Sequence, residues 1–317
     1  MRTYKKNFNT KKCDTVVRMG EQTAASKDQQ QIRSYYDLVT DFYEFGWGRS
    51  FHFCPQFAKE SRQLAMQRHQ LRLAEKLKLK PGMRVLDAGC GVGGPLLNIA
   101  RHSGAHITGL NICEYQLAKA RRYAAKARMQ HQTDFVVGDF MNAPLSDASF
   151  DAIYTIEASV HAKSRLKCFQ EMHRLLKPGG VFAGYEYVVT ERYDENNPLH
   201  VSTMRKLEDY SAVQQTPTIQ QHRETLQAAG FKILQLEDML KPGMTFNSRL
   251  KSSWVASPIA RALTKALTFT LEKLSVAPKG ATKVSQLLNI SADGYADAGE
   301  LEIFSPCLLF VAYKETA

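Results

Sequence analysis

The 317 residues are 44% hydrophobic and 23% charged, a globular composition that excludes a disordered chain and allows a core domain with a second lobe. Lysine and arginine number 42 against 31 aspartate and glutamate. That excess suits nucleic acid, an anionic membrane surface, an acidic ligand or plain solvation, but zinc-finger spacing, RNP-like strands and long basic runs are absent, so no nucleic-acid partner is expected.

The six cysteines form no C-x-x-C pair and fit a reducing compartment. No apolar run reads as a secretory signal or is long enough to span a bilayer, which leaves peripheral attachment open.

In chain order, residues 1–30 are polar and aperiodic and read as a flexible arm. Residues 31–79 hold the aromatic block S-Y-Y-D-L-V-T-D-F-Y-E-F-G-W-G-R-S-F-H-F-C-P and then a packing helix at 58–79. Strands and helices alternate from 80 to 237, the pattern of a parallel-sheet domain. Strands are expected at 84–87, 106–110, 133–137, 151–156, 181–188 (after K-P-G-G) and 231–237, with helices at 93–102, 114–127, 164–176 and 218–229.

An insertion at 238–303 precedes a last strand at 307–313, within a final segment 304–317. In the insertion Ile259, Leu263, Ala266 and Leu267 recur at helical spacing, with Arg261 and Lys265 towards the other side. Such a helix rests on lipid, caps an apolar pocket or packs as an ordinary surface helix, and the spacing does not choose.

The strongest local signal is M-R-V-L-D-A-G-C-G-V-G-G. A strand ends at Asp87, and Gly89, Cys90, Gly91 and Gly93 make a turn tight enough for a ligand to approach the backbone before a helix begins. Helix-terminal amides favour an anion, and the carboxylate of S-adenosylmethionine can use them. G-x-G-x-x-G alone also serves dinucleotides. The D-x-G-C-G-x-G context, together with Asn111 where a dinucleotide site expects an acid, favours the methyl donor.

Asn111 either bonds ribose hydroxyls or packs its turn, with Glu114 and Gln116 as neighbouring alternatives. Asp139 suits the adenine amino group and Phe140 its ring, while Asp87 either orients the turn or meets the cofactor amine. Glu157 ends a strand, where this architecture gathers ligands.

The aromatic block, V-L-D-A-G-C-G-V-G-G-P, G-L-N-I-C-E-Y-Q-L, G-D-F-M, Y-T-I-E-A-S-V-H-A and L-K-P-G-G-V-F-A-G-Y-E together resemble the sterol methyltransferase family, specifically the sterol C-24 methyltransferases. The resemblance runs from about Ser34 to Asn197, with G-A-T-K-V and E-I-F-S-P similar to the family's C-terminal lobe. It implies an α/β, Rossmann-like class I methyltransferase with a seven-stranded, mainly parallel sheet and a substrate-binding lobe. It also implies S-adenosylmethionine as cofactor, no metal, and methyl transfer to a sterol side-chain alkene at carbon 24.

Family members associate with endoplasmic-reticulum or lipid-droplet membranes and often form homo-oligomers, and the resemblance extends both expectations to this chain. By the same resemblance Tyr35, Tyr36, Asp41, Tyr43, Glu44, Phe45, Trp47 and Phe51 line or close the sterol site, and Glu157 and His161 face the reacting region.

Methyl transfer to an alkene is governed by placement and leaves a carbocation, which aromatic faces and carboxylates stabilise. A base must then take a proton, and Glu44, Glu157 and His161 are unranked candidates. Departures from the family pattern fall in the substrate half: R-H-Q-L-R-L-A, which loses an acid at Gln70 and an aromatic at Arg72, Lys163 after H-A, and the segment after Asn197. They leave open another sterol position, another polyprenoid or small-molecule acceptor, or a catalytically silent lipid-binding module.

Overall fold

The computed structural model describes residues 29–241, 244–246, 257–275 and 280–316. Helix α1 (Gln29–Trp47) leads through a loop and the two-residue strand β1 (Gln56–Phe57) to α2 (Arg62–Lys76). The core follows as β2 (Arg84–Ala88), α3 (Gly94–Ser103), β3 (His106–Asn111), α4 (Glu114–Lys126), β4 (Thr133–Val137), β5 (Phe150–Ile156), α5 (Arg165–Leu175) and β6 (Leu176–Val189). Then come α6 (Pro198–Tyr210), α7 (Ile219–Ala228), β7 (Lys232–Asp238), β8 (Met244–Thr245), α8 (Pro258–Lys273), α9 (Ala281–Glu300) and β9 (Phe304–Tyr313).

Seven strands form one sheet in the order β4-β3-β2-β5-β6-β9-β7, parallel throughout except β9, which runs antiparallel between β6 and β7. β2, β6 and β9 are almost continuously buried, as strands covered on both faces must be. One face packs Leu73, Leu77, Leu96, Ile99 and Leu117 from α2, α3 and α4, and the other packs Phe169, Met172 and Leu226 from α5 and α7. Strand order reverses on either side of β2, so the crevice at the carboxyl ends of β2 and β5 is where such a sheet binds ligands.

A helical layer covers that edge. Met204 and Leu207 of α6 join Tyr295 and Ala298 of α9, Tyr187 of β6 and Phe304 of β9 in one apolar cluster. The crossing of α6 and α9 needs Gly294, because an added Cβ there would stand 2.8 Å from the Leu207 amide nitrogen. Ile32, Tyr35 and Val39 of α1 pack on Val284 of α9 and on Ala212. α1 is therefore held from above by the C-terminal layer.

Several expected boundaries move. K-P-G-G lies inside β6 rather than before it: Phe150 pairs with Leu176, Ala152 with Val181, and a bulge takes up the residues between, with Gly179 at φ 76°. β9 starts at Phe304, not 307, because its first residues pair with the end of β6. The packing helix is shorter than expected at both ends, since Gln56 and Phe57 pair with Thr245 and Met244 and Ser61 caps α2. Of the expected arm, residues 1–28 lie outside the described residues, and α1 starts at Gln29.

Phe310 of β9 is fully buried against Phe169, Phe182 and His222. Phe310→Ala is expected to lower the unfolding free energy by about 3–5 kcal/mol in chemical denaturation, the usual cost of an aromatic cavity.

Candidate active site at the carboxyl edge of the sheet

After β2 the chain reverses through Gly89, Gly91 and Gly93, at φ 91°, 54° and 81°. An added Cβ on Gly89 would come within 2.3 Å of the Ala158 Cβ, and one on Gly93 within 3.2 Å of the Ala120 Cβ. On Gly91 it would meet nothing within 4 Å. The turn is packed at both ends and open in the middle, with the N-terminus of α3 behind it. The Gly89 and Cys90 amides donate to the Leu110 carbonyl at 2.9 and 3.1 Å. Burial pushes the Cys90 thiol up, and its sulfur packs where Gly109 has no side chain, so Cys90 shapes the turn by packing.

Polar side chains follow along the edge. Asp87 is buried, accepts from the Tyr154 hydroxyl at 3.0 Å, and has its pKa raised by burial to about 7. Asn111 donates from Nδ2 to Gln116 Oε1 at 2.7 Å, and Gln116 Nε2 donates to Thr40 Oγ1 at 3.0 Å, joining the end of β3 to α1. Asp139 is half-buried, which raises its pKa, and accepts from the Met141 amide at 2.8 Å. Phe140 packs on the apolar cluster around Leu86 and Leu110.

Glu157 takes φ 52° as the chain leaves β5. Its Oε1 accepts the Phe53 amide at 2.7 Å and its Oε2 the Tyr187 hydroxyl at 2.9 Å, while Tyr295 donates to Tyr187 at 3.4 Å. Burial holds its carboxyl well above the usual carboxylate range. His161, in the 3-10 turn Ser159–His161, meets the Ala212 carbonyl through Nδ1 at 2.7 Å and the Tyr36 hydroxyl through Nε2 at 2.6 Å.

The aromatic block divides by helical face. Tyr35 and Tyr43 share a hydroxyl–hydroxyl bond of 2.6 Å, and Tyr43 packs against Trp47 and Phe51 at ring distances of 6.2 and 5.7 Å. Asp37, Asp41 and Glu44, at i, i+4 and i+7, face α4 instead. Asp37 accepts from the Cys113 thiol at 3.2 Å, Asp41 meets the Tyr115 hydroxyl at 2.7 Å and Lys119 at 2.8 Å, and Glu44 meets Lys119 and the Tyr123 hydroxyl.

Asp41 and Glu44, expected at the substrate, thus fasten α1 to the cofactor domain, because cationic and phenolic partners stand opposite them on α4. The side chain of Phe45 lies outside the described residues. Gln70 is buried, donating to Ser50 at 3.0 Å, sharing a 2.8 Å bond with His52, and accepting from Asn98 at 2.8 Å. Not anticipated were Thr40, Phe53, Tyr187 and Tyr295; Thr40 and Phe53 lie within the aromatic block, and Tyr187 is the alternate residue of the buried strand that holds Y-E-Y.

A seven-stranded sheet with its single antiparallel strand next to the edge, and a glycine turn opening between buried carboxyl groups, defines an S-adenosylmethionine-dependent methyltransferase. Residues 86–184 match the methyltransferase domain family and residues 252–315 the sterol methyltransferase C-terminal family. The chain is 39% identical over 300 residues to the sterol 24-C-methyltransferase of Saccharomyces cerevisiae, covering 90% of this chain and 78% of that protein. It is 38% identical over 301 residues to cycloartenol-C-24-methyltransferase 1 of Oryza sativa subsp. japonica, covering 93% and 88%. The chain belongs to the sterol methyltransferase family. In fold it is similar to the mycolic acid cyclopropane synthase CmaA1, solved with SAH and CTAB (20% identity, TM-score 0.69, 89% of this chain and 97% of that one).

The residues present fit S-adenosylmethionine. The open face of Gly91 leaves backbone room, and Asp87, a buried acid whose pKa burial raises to about 7, would meet the cofactor ammonium or orient the turn. The Asn111 side-chain oxygen and Gln116 would hold the ribose, and Asp139 with Phe140 the adenine.

An ammonium favours ionised Asp87, so cofactor affinity is expected to fall as pH drops below about 7, where this carboxyl takes up its proton. Isothermal titration checks this: wild-type affinity changes by up to about tenfold per pH unit, and Asp87→Asn binds weakly with little dependence on pH.

Proposed function

We propose that this chain methylates the side-chain alkene of a sterol at carbon 24. The observation that carries this reading is Glu157: a buried carboxylate at the cofactor edge, tied to Phe53, Tyr187 and through Tyr187 to Tyr295, in walls of aromatic rings. Phe53 packs on Tyr295 at 4.9 Å and on Phe246 at 5.4 Å. Such an aromatic surround suits a bulky apolar acceptor and offers π faces to a cationic intermediate, whose charge favours ionised Glu157. The cofactor supplies an electrophilic methyl on a sulfonium. The protein holds the acceptor in line, and Glu157, which burial keeps poised for a cation, stabilises positive charge.

Labelled cofactor with a panel of unsaturated sterols, read by mass spectrometry, is expected to place the methyl at carbon 24. Glu157→Gln is expected to lower kcat by about 10²–10³ with little change in KM, the usual effect of losing one electrostatic stabiliser of the transition state. Turnover of small amines or phenols alone would favour another acceptor class. Saturable sterol binding without methyl transfer would favour the silent lipid-binding module.

The chain is further proposed to work at an endoplasmic-reticulum or lipid-droplet surface, with α8 as its contact. α8 turns its apolar side outward: Ile259, Leu263, Leu267, Phe269 and Leu274 are all exposed. Arg261 faces α9, paired with Asp293 at 2.6 Å. This inverts the usual orientation of a packed surface helix, and exposed Lys265 and Lys273 add attraction to anionic lipid. No helix among the described residues is long and apolar enough to cross a membrane.

In flotation at low salt the wild type is expected to rise with anionic vesicles, and the folded Leu263→Ser/Leu267→Ser variant to stay down. Failure of the wild type to float with neutral or anionic vesicles would contradict lipid contact. Loss of self-association in the variant would instead make this face a homo-oligomer interface.

A further inference from the structure

We infer that the proton released after methyl transfer is taken by Tyr36, whose own hydroxyl proton passes to His161. The inference rests on the sterol-methylating function and names a residue for its last step.

The hydrogen bonds fix the direction of the relay. A carbonyl only accepts, so His161 Nδ1 carries the hydrogen donated to the Ala212 oxygen at 2.7 Å. The neutral ring then presents the lone pair of Nε2, and the Tyr36 hydroxyl, 2.6 Å away, donates to it. The two rings meet edge to face, with centroids 5.4 Å apart. Tyr36 also packs edge to face on Tyr35 at 5.3 Å, and Tyr35 bonds the Tyr43 hydroxyl, so Tyr36 belongs to the aromatic face of α1. Its main chain is held as well, since the Tyr36 carbonyl accepts from Thr40, which Gln116 engages from the cofactor side.

The competing groups are committed elsewhere. Glu44 is fastened to Lys119 and Tyr123 on α4. Each oxygen of Glu157 already accepts a donor, and its neighbour Ala158 touches the cofactor turn at Gly89. Held by two donors beside the cofactor turn, it suits the role of charge stabiliser.

The step balances. The alkene electron pair forms the new carbon–methyl bond as the sulfur–methyl bond breaks, leaving an adjacent carbocation. A neighbouring C–H bond then breaks, its pair forms the new double bond, and its proton adds to the Tyr36 oxygen as the phenolic proton moves to His161 Nε2. Burial disfavours a phenolate at Tyr36, and in this transfer the phenol stays neutral, with the charge ending on the imidazole. The imidazolium later releases its proton to solvent.

The test compares wild type, Tyr36→Phe, His161→Gln and the double variant by kcat, sterol KM, cofactor affinity and product mass. Tyr36→Phe is expected to lose about 10²-fold or more in kcat, with KM and cofactor affinity within about twofold. Its products should shift towards the methylated sterol alcohol that forms when water captures the cation. The double variant is expected to be no worse than Tyr36→Phe, because the two residues act as one unit. Should Tyr36→Phe not fold, fluorotyrosine at position 36 keeps the ring and weakens the base, and a lowered rate is expected.

Wild-type rate and product for Tyr36→Phe, or for the fluorotyrosine protein, would overturn the relay. So would an alcohol product from Glu157→Gln alone, which would make Glu157 the base. A wild type that methylates no sterol would sink the functional reading itself, so the two failures are distinguishable.

Discussion

Three parts of the chain meet at one buried carboxylate. Glu157 receives the backbone of the loop after α1 through Phe53, the middle of the sheet through Tyr187, and the C-terminal layer through the Tyr187–Tyr295 contact. Its neighbour Ala158 leaves no room for a side chain at Gly89, so the same turn of chain shapes the cofactor cradle. A buried acid is tolerable only when its bonds are satisfied or a cation arrives, and here both conditions coincide with the chemistry. Burial raises the Glu157 pKa, so its ionised form gains most from an incoming positive charge.

The lid depends on this node and on a second fastening. α1 is gripped from below by Lys119, Tyr115, Tyr123 and Gln116 and from above by Val284 and Ala212. Its acidic and aromatic residues divide the labour by face, with anchors towards α4 and chamber walls towards α9. The loop that follows crosses the start of α3 closely enough that a side chain on Gly94 would stand 2.1 Å from the Arg49 carbonyl oxygen. The loop that follows the aromatic helix is therefore packed directly on the cofactor turn.

How much was legible in the sequence follows from the range of each interaction. The glycine turn, Asp87, Asn111, Asp139 and Glu157 announce themselves within short windows at strand ends, where backbone geometry dictates residue type. The sheet strands were legible too, the central ones because burial on both faces leaves apolar runs and β4 and β7 by their place in the strand–helix alternation. Asp41 and Glu44 were not, since their partners lie some 75 residues away on α4 and nothing local separates an anchoring acid from a catalytic one. α9 carries a short apolar stripe at Val284, Leu287, Leu288 and Tyr295, but serine, alanine and glycine dilute it, and Gly294 allows its close crossing with α6. The Tyr36–His161 pairing spans 125 residues and emerges only from the folded chain.

If the chain methylates a sterol side chain, that side chain ends between the glycine turn and Glu157. A crystal structure with S-adenosylhomocysteine and an unsaturated sterol tests it most directly. The side-chain alkene is expected about 3–4 Å from the cofactor sulfur, the span of one transferring methyl, with Glu157, Tyr36 and Tyr295 around it. A sterol bound on the outer face of α8, or with its side chain pointing away from the sulfur, would contradict it.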